Sequence, residues 1–259
     1  MEYKIGLKLF TDNTSAISVA EQYYSERLFD YVELMVLPGA DEENLGRWQK
    51  LKVPYLVHAP HGSYGFNLSN SKLRKQNKKM FSAAKRYADK LEAQFIIVHP
   101  GINGQVEETV RQIKALGDSR LIIENKPFIS LRQRRCVGYS PAEIGSITKK
   151  SGAGFCLDVV HAVKAAYANG EDHFVFIRQF LALKPKVVHL CDCTLTGCFD
   201  EHLNFGMGEL AIPAILSATN KAVPKVYLTL EVPEKSYARL TDFKKDRLLL
   251  RRYLKRKSL

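Results

Sequence analysis

Eight short runs rich in Val, Ile and Leu recur along this chain, with stretches of helical spacing between them. The runs span residues 4–10, 31–37, 54–58, 95–99, 121–124, 154–158, 187–191 and 226–231. Most are continuous rather than alternating, the pattern of strands buried on both faces of a parallel sheet. The helical stretches include 16–29, 71–91, 107–116, 141–150 and 174–183. Pro141 after Ser140 marks a clean helix start, with Ser140 as cap and Glu143 in the first turn. Eight strands alternating with helices in 259 residues predict a closed (β/α)8 barrel of the α/β class, one domain over residues 1–259. An open doubly wound sheet is the alternative, but its Gly-x-Gly-x-x-Gly loop after the first strand is absent.

Six of these runs end in, or carry near their end, a side chain able to hold a metal ion. They read Tyr-Leu-Val-His58, Ile-Ile-Val-His99, Leu-Ile-Ile-Glu124, Phe-Cys-Leu-Asp158, Val-Val-His189-Leu and Leu-Thr-Leu-Glu231. His161 follows Asp158 by three residues, and Asp200 and His202 follow the seventh run, making nine ligand-type side chains. In a barrel every strand C-terminus opens onto one face, so these groups are expected to share one site. Imidazole with carboxylate suits Zn²⁺, and also Mn²⁺ or Fe²⁺. Nine ligands exceed one tetrahedral ion and match two or three, with a bridging carboxylate. Ions about 3.5–4 Å apart suit hydrolysis of a phosphodiester.

Hydrophobic residues at 46% and charged residues at 25% fit a globular protein with a substantial core. No apolar stretch approaches the ~20 residues that span a bilayer. Met1-Glu-Tyr-Lys-Ile enters a strand-like pattern directly, without a signal-peptide core, so a cytoplasmic location is expected. The five cysteines fit reduced thiols in such a compartment. Cys191-Asp-Cys193 with Cys198 reads either as a minor metal or redox site or, preferably, as small residues at a strand end and its loop. The net charge of +12 suits a polyanionic partner such as nucleic acid. Much of it lies in 244–257, read as the solvated face of a last helix whose leucines pack inward, or less favourably as a phosphate contact.

The segments His58-Ala-Pro, Val98-His99-Pro-Gly, Ile123-Glu124-Asn, Cys156-Leu-Asp158-Val-Val-His161-Ala, His189-Leu-Cys-Asp, Asp200-Glu-His202-Leu-Asn-Phe-Gly-Met-Gly208 and Leu230-Glu231-Val-Pro occur in this order. Over about residues 54–233 the chain thereby resembles the endonuclease IV family of apurinic/apyrimidinic endonucleases, within the wider xylose-isomerase-like barrels. The Asp-x-x-His pair and the Asp-x-His…Gly-x-Gly segment are the more specific parts. The resemblance implies three zinc ions: one on His58, His99 and Glu124; one on Glu124, Asp158, His189 and Glu231, with Glu124 bridging; and one on His161, Asp200 and His202. It implies base-excision repair chemistry, with a metal-bound hydroxide cleaving double-stranded DNA 5′ to an abasic site. Glu124 would be the carboxylate that orients the nucleophile. A monomer is expected.

The chain departs from that family where DNA is probed. The family's first strand contains a His and its second loop an Arg. Here the segments are Ile5-Gly-Leu-Lys-Leu-Phe-Thr and Glu33-Leu-Met-Val-Leu-Pro-Gly39, closer to sugar isomerases and epimerases. Tyr64, Phe66 and Asn67 stand near the family's aromatic and aliphatic wedge, and Lys126, Arg132, Arg134 and Arg135 follow Glu124. These seven are the candidate DNA contacts. Two alternatives stay open. One is a sugar isomerase, epimerase or dehydratase using only Glu124, Asp158, His189 and Glu231. The other is a metal-containing DNA-binding protein with weak turnover.

Overall fold

In the computed structural model, which describes residues 2–255, the apolar runs form eight parallel strands. They are β1 (Glu2–Phe10), β2 (Tyr31–Met35), β3 (Tyr55–His58), β4 (Ile96–Val98), β5 (Leu121–Glu124), β6 (Gly154–Asp158), β7 (Val187–Leu190) and β8 (Lys225–Leu230). Each pairs with the next and β8 pairs with β1, so the sheet closes into a barrel. The helices are α1 (Ile17–Ser25), α2 (Glu42–Trp48), α3 (Arg74–Lys90), α4 (Val106–Leu116), α5 (Pro141–Ser151), α6 (Val159–Asn169), α7 (His173–Ala182), α8 (Ile212–Ala222) and α9 (Thr241–Lys255). Among the described residues no helix is long and apolar enough to cross a membrane.

Local chemistry sets the element ends. Ser140 Oγ accepts from Glu143 N with Pro141 in the first turn, as the sequence predicts for α5. The expected helix 71–91 is broken at its start. Asn70 accepts from Lys72 N to cap a single tight turn (Ser71–Leu73) before α3 begins. Helix α1 stops at Ser25 rather than Phe29, because Arg27 takes a positive φ of 56° and turns the chain so that Phe29 enters the core. α9 follows the sequence reading in part: Leu250 is buried, Leu249 and Leu254 are partly buried and Arg251 and Arg252 are exposed, but Leu248 faces solvent.

The barrel has two chemically distinct surfaces, because side chains two apart on a strand face the same way. Leu7, Leu9, Val32, Leu34, Val57 and Val98 point outward and pack in the core shared with the helices. Inside, Tyr31, Leu56, Ile97, Ile122, Cys156 and Val187 form a separate apolar plug. Tyr31 fits there because its register partner is Gly6: a Cβ on Gly6 would lie 2.3 Å from the Tyr31 ring. One layer above the plug, the inward positions turn ionisable. Lys8 is paired with Glu33, Glu124 with Cys156, and Asp158 with His189. This polar layer is the floor of the site.

Candidate metal centre

The nine ligand-type side chains converge at the C-terminal mouth of the barrel. Glu124, from the end of β5, lies at their centre. Its Oε2 is 3.0 Å from His58 Nε2 and 3.1 Å from His99 Nε2, and its Oε1 is 3.1 Å from His161 Nδ1. Across the barrel, Glu231 Oε2 is 2.8 Å from His189 Nδ1, and Asp158 Oδ2 lies 3.9 Å from the same nitrogen. Asp200 reaches His161 Nε2 with one oxygen and His202 Nε2 with the other, each at 3.2 Å. Ligand atoms close enough to share an ion occur in the sets His58–His99–Glu124, Asp158–His189–Glu231 and Asp158–His161–His202. A further set replaces a carboxylate by a thiol, Glu124–Cys156–His189.

Hydrogen bonds orient three of the imidazoles, those of His58, His161 and His189. A carbonyl can only accept, so His58 Nδ1 donates to Ala59 O at 2.7 Å and leaves Nε2 toward Glu124. His161 Nδ1 likewise donates to Asn125 O at 2.8 Å, which turns Nε2 to Asp200. His189 is oriented the other way: Nε2 donates to Glu33 Oε2 at 2.9 Å and Nδ1 faces inward. His189 Nδ1, Asp200 Oδ1 and His202 Nε2 are buried without a hydrogen-bond partner. Buried polar atoms are rarely left so, and all three are donors that divalent ions would satisfy. The donor set therefore fits metal.

Burial and close pairing shift these groups strongly. Burial alone would raise the Glu231 carboxyl, but Lys8 and His189 outweigh it and hold its pKa well below the usual range. Burial opposes charge on His202 too, yet Asp200 lifts its pKa to about 9. In His161 burial is outweighed by Asp158, and the pKa rises to about 10. Burial keeps His99 neutral, far below its ordinary value.

Two loops place the third group. Asp158 caps α6 by accepting from His161 N at 2.7 Å, so the Asp-x-x-His spacing aims both side chains at the mouth. In the loop after β7, Asp192 accepts from the backbone N–H groups of Gly206, Gly208 and Leu210. Gly208 is required by close approach, since a Cβ there would lie 2.4 Å from Asp192 Oδ1.

Above the floor lies a cavity of about 350 Å³, with Phe10, Met35, Ile102 and Leu131 among its walls and Lys126 and Arg132 lining it as cations. The segment 126–137 folds over it as a tight hairpin, closed by Ser130 N donating to Arg134 O and stitched to the preceding loop by Asn103 N donating to Arg135 O. His61, missed in the sequence, lies in the cavity wall; burial and the nearby Lys126 lower its pKa to about 4.

The candidate DNA contacts separate sharply. Lys126 Nζ lies 3.4 Å from His161 Nε2, Arg132 lines the cavity, and Arg134 is exposed at the hairpin. Tyr64 is half-exposed and rests on His61. Phe66 and Asn67 are not available to DNA. Phe66 is fully buried in the core, and the Asn67 amide is consumed by Ile102 and Ser69. Arg135 turns away to Glu143 and the Phe128 and Tyr139 rings. Cys191 and Cys193 are buried free thiols, and among the described residues no ligand set includes either. Both pack in the apolar core.

Two further inward groups escaped the sequence reading: Lys8 on β1 and Glu33 on β2. The signal was present, since each is an ionisable residue inside an apolar run at an inward position.

Comparison with known proteins places this geometry. The family profile described as xylose isomerase-like TIM barrel matches residues 24–253. The chain belongs to that family. A probable endonuclease 4 of Thermoplasma volcanium is 32% identical over 127 residues, covering 44% of each chain, so the match spans under half that relative's length. Among solved structures, a D-tagatose 3-epimerase-like protein superposes with a TM-score of 0.73 at 19% identity, covering 97% of both chains. Endonuclease IV from Thermus thermophilus superposes with a TM-score of 0.69 at 17% identity, covering 98% of this chain and 99% of that one. At such identities the two structures establish the barrel and leave the reaction to the site. Within the xylose isomerase-like TIM barrels, activity depends on which side chains the strand ends present.

Proposed function

We propose that this protein is a metal-dependent phosphodiesterase, an apurinic/apyrimidinic endonuclease that cuts duplex DNA 5′ to abasic sites. One observation carries the reading. Around the quartet Glu124, Asp158, His189 and Glu231, which a sugar isomerase or epimerase would use, five more ligand-type side chains converge: His58, His99, His161, Asp200 and His202. Nine such groups exceed what one ion needs and match two or three. The nuclease relative supports the same direction.

Three ions, with zinc the best match to the imidazole–carboxylate mix, would supply Lewis acidity toward the phosphate and acidify a bound water. His58 and His99 with Glu124 would hold the first, Glu124, Asp158, His189 and Glu231 the second, and His161, Asp200 and His202 the third. Glu124 would belong to both of the first two groups: its Oε2 lies beside His58, His99 and His189, and its Oε1 beside His161. Lys126 and Arg132, at the cavity wall, stand where phosphate oxygens would bring negative charge. Neutral His61 offers a hydrogen bond to the substrate without repelling the ions.

Incubation with a duplex carrying one tetrahydrofuran abasic analogue tests this. Nicking 5′ to the analogue, abolished by chelator and reduced about 10³-fold or more by Glu124→Gln, is expected. Metal analysis is expected to give about three ions per chain. One ion per chain with no nicking and no preference for the damaged duplex would sink the proposal in favour of sugar chemistry. The cavity size favours that second reading, since about 350 Å³ also suits a small sugar substrate.

A further inference from the structure

Strands β1 and β2 contribute none of the nine ligands, yet each sends one charged side chain into the barrel directly beneath them. Lys8 and Glu33 are register partners, and both are essentially buried. Lys8 Nζ is 2.5 Å from Glu33 Oε1 and 3.3 Å from Glu231 Oε1. Glu33 Oε2 accepts from His189 Nε2 at 2.9 Å and from Thr229 Oγ1 at 2.6 Å. Tyr31 OH in turn bonds Thr229 Oγ1 at 2.7 Å, so the hydroxyl proton of Thr229 is committed to Glu33.

The atoms that this chain leaves free matter most. Lys8 takes Oε1 of Glu231, whereas the oxygen facing His189 Nδ1 is Oε2. Glu33 takes Nε2 of His189 and leaves Nδ1 facing inward without a hydrogen-bond partner. One buried pair therefore fixes the inactive side of two ligand residues and presents their remaining atoms to each other across 2.8 Å. Stability alone does not explain it, because replacing a buried ion pair by apolar groups is often neutral or favourable. An apolar pair would also continue the plug below, formed by Tyr31, Leu56 and their neighbours.

We propose that Lys8 and Glu33 are positioning residues for a single ion, the one assigned above to Glu124, Asp158, His189 and Glu231, and that they set its affinity without touching it. The proposal rests on the metal-centre reading above. It also gives β1 and β2 a role: they brace one ion site from below, while β3 to β8 supply ligands.

The test titrates the metal-free protein with Zn²⁺ calorimetrically and with Co²⁺ by visible absorption. The variants are Lys8→Met, Glu33→Gln and the double variant Lys8→Met with Glu33→Gln. The double variant removes one buried cation and one buried anion together, leaving the net buried charge unchanged and Glu231 paired with His189, and is expected to fold. Loss of an outer partner typically weakens metal binding 10–100-fold. That weakening is expected for one ion only, with a changed Co²⁺ spectrum for that ion and unchanged binding of the others. Lys8→Arg, which keeps the cation, is expected to recover part of the affinity. Thr229→Val removes one hydrogen bond to Glu33 without altering charge, and a severalfold loss at the same ion is expected should the double variant not fold. Unchanged Zn²⁺ affinities and Co²⁺ spectrum in a folded variant overturn the brace alone. A wild-type protein that binds no Zn²⁺ overturns the metal centre and the brace together.

Discussion

Lys164 Nζ, buried on α6 three residues beyond His161, lies 3.2 Å from Glu201 Oε2 in the loop that carries Asp200 and His202. It also donates to Thr194 O, Thr194 Oγ1 and Thr196 O, each at 3.0 Å. One ammonium thus ties the loop after β7 to the helix that presents His161. Lys164→Met is expected to free the loop, open it to protease between residues 195 and 200, and lose the ion held by His161, Asp200 and His202. Glu201 is partly solvated, so the stability cost is expected near ~1–3 kcal/mol rather than the ~3–5 of a fully buried broken pair. Metal content, together with limited proteolysis of the zinc-loaded protein, checks it. A full complement of ions in this variant would contradict the role assigned to the loop.

Divalent ions are expected to stabilise the fold as well as the reaction. His189 Nδ1, Asp200 Oδ1 and His202 Nε2 face a neighbouring ligand-type atom at 2.8 or 3.2 Å but make no hydrogen bond, and a bound ion would take up their lone pairs. Ions at 100 times their dissociation constant stabilise by about 2.7 kcal/mol per independent site, roughly 5–10 °C in midpoint for a chain of this size. Differential scanning with Zn²⁺ and with excess EDTA measures the gap. An identical midpoint in both conditions would remove the centre from consideration.

The hairpin arginines are expected to behave oppositely. Arg132 lines the cavity, whereas Arg135 is engaged by Glu143 and by two aromatic rings. Arg132→Ala is expected to weaken duplex binding and to reduce the slope of log affinity against log salt by about 1, the signature of one lost phosphate contact. Arg135→Ala is expected to leave that slope unchanged and to lower the thermal midpoint slightly. Binding isotherms at several salt concentrations separate the two.

The barrel and the convergence of its nine ligand-type side chains were legible because both rest on local patterns. Continuous apolar runs mark buried parallel strands, and a charged residue closing such a run has few places to go but the mouth. Lys8 and Glu33 follow the same rule, but they sit inside their runs rather than at the ends. Alternation puts Lys8 on the face of Gly6 and Glu33 on the face of Tyr31, but that this face is the barrel interior follows only from the closed sheet. Phe66 and Asn67 failed for the opposite reason. Phe66 is a wedge candidate by residue type, at a different position from the family's, and Asn67 is its neighbour, but contacts with Ile102 and Asn77 bury the segment. Arg135 likewise looked like part of a cationic loop until the hairpin alternation turned it toward α5.

Acid is expected to loosen the α3–α4 side of the shell. Glu108 accepts from Arg74 Nε at 2.6 Å, from Arg111 and from Gln112. The Arg74 hydrogen bonds lower its pKa from the ordinary 4.5 to about 2. A depressed carboxyl contributes stability that is fully present above about pH 4.5 and lost as pH falls through about 2. Because both arginines are largely solvated, Glu108→Gln is expected to cost about 1 kcal/mol at pH 7 and nothing near pH 2. Urea unfolding at pH 7, 4 and 2.5 checks the trend. A cost independent of pH would show that the carboxylate charge is not the source.

Gly6 connects the apolar plug to the metal floor, and substituting it is expected to disturb both. A methyl at this position would meet the Tyr31 ring at 2.3 to 2.6 Å, at Cζ, Cε2 and the hydroxyl oxygen. The ring is enclosed by the barrel, so relief requires it to shift, which breaks its 2.7 Å hydrogen bond to Thr229. Gly6→Ala is expected to cost about 1–3 kcal/mol, the usual range for overpacking. Combining it with Tyr31→Leu removes the clashing atoms, so the pair is expected to be less destabilised than the sum of the single variants. A double-mutant cycle by urea denaturation gives the coupling directly. Strict additivity would show that the barrel accommodates the methyl elsewhere and that the Gly6–Tyr31 contact does not govern the interior.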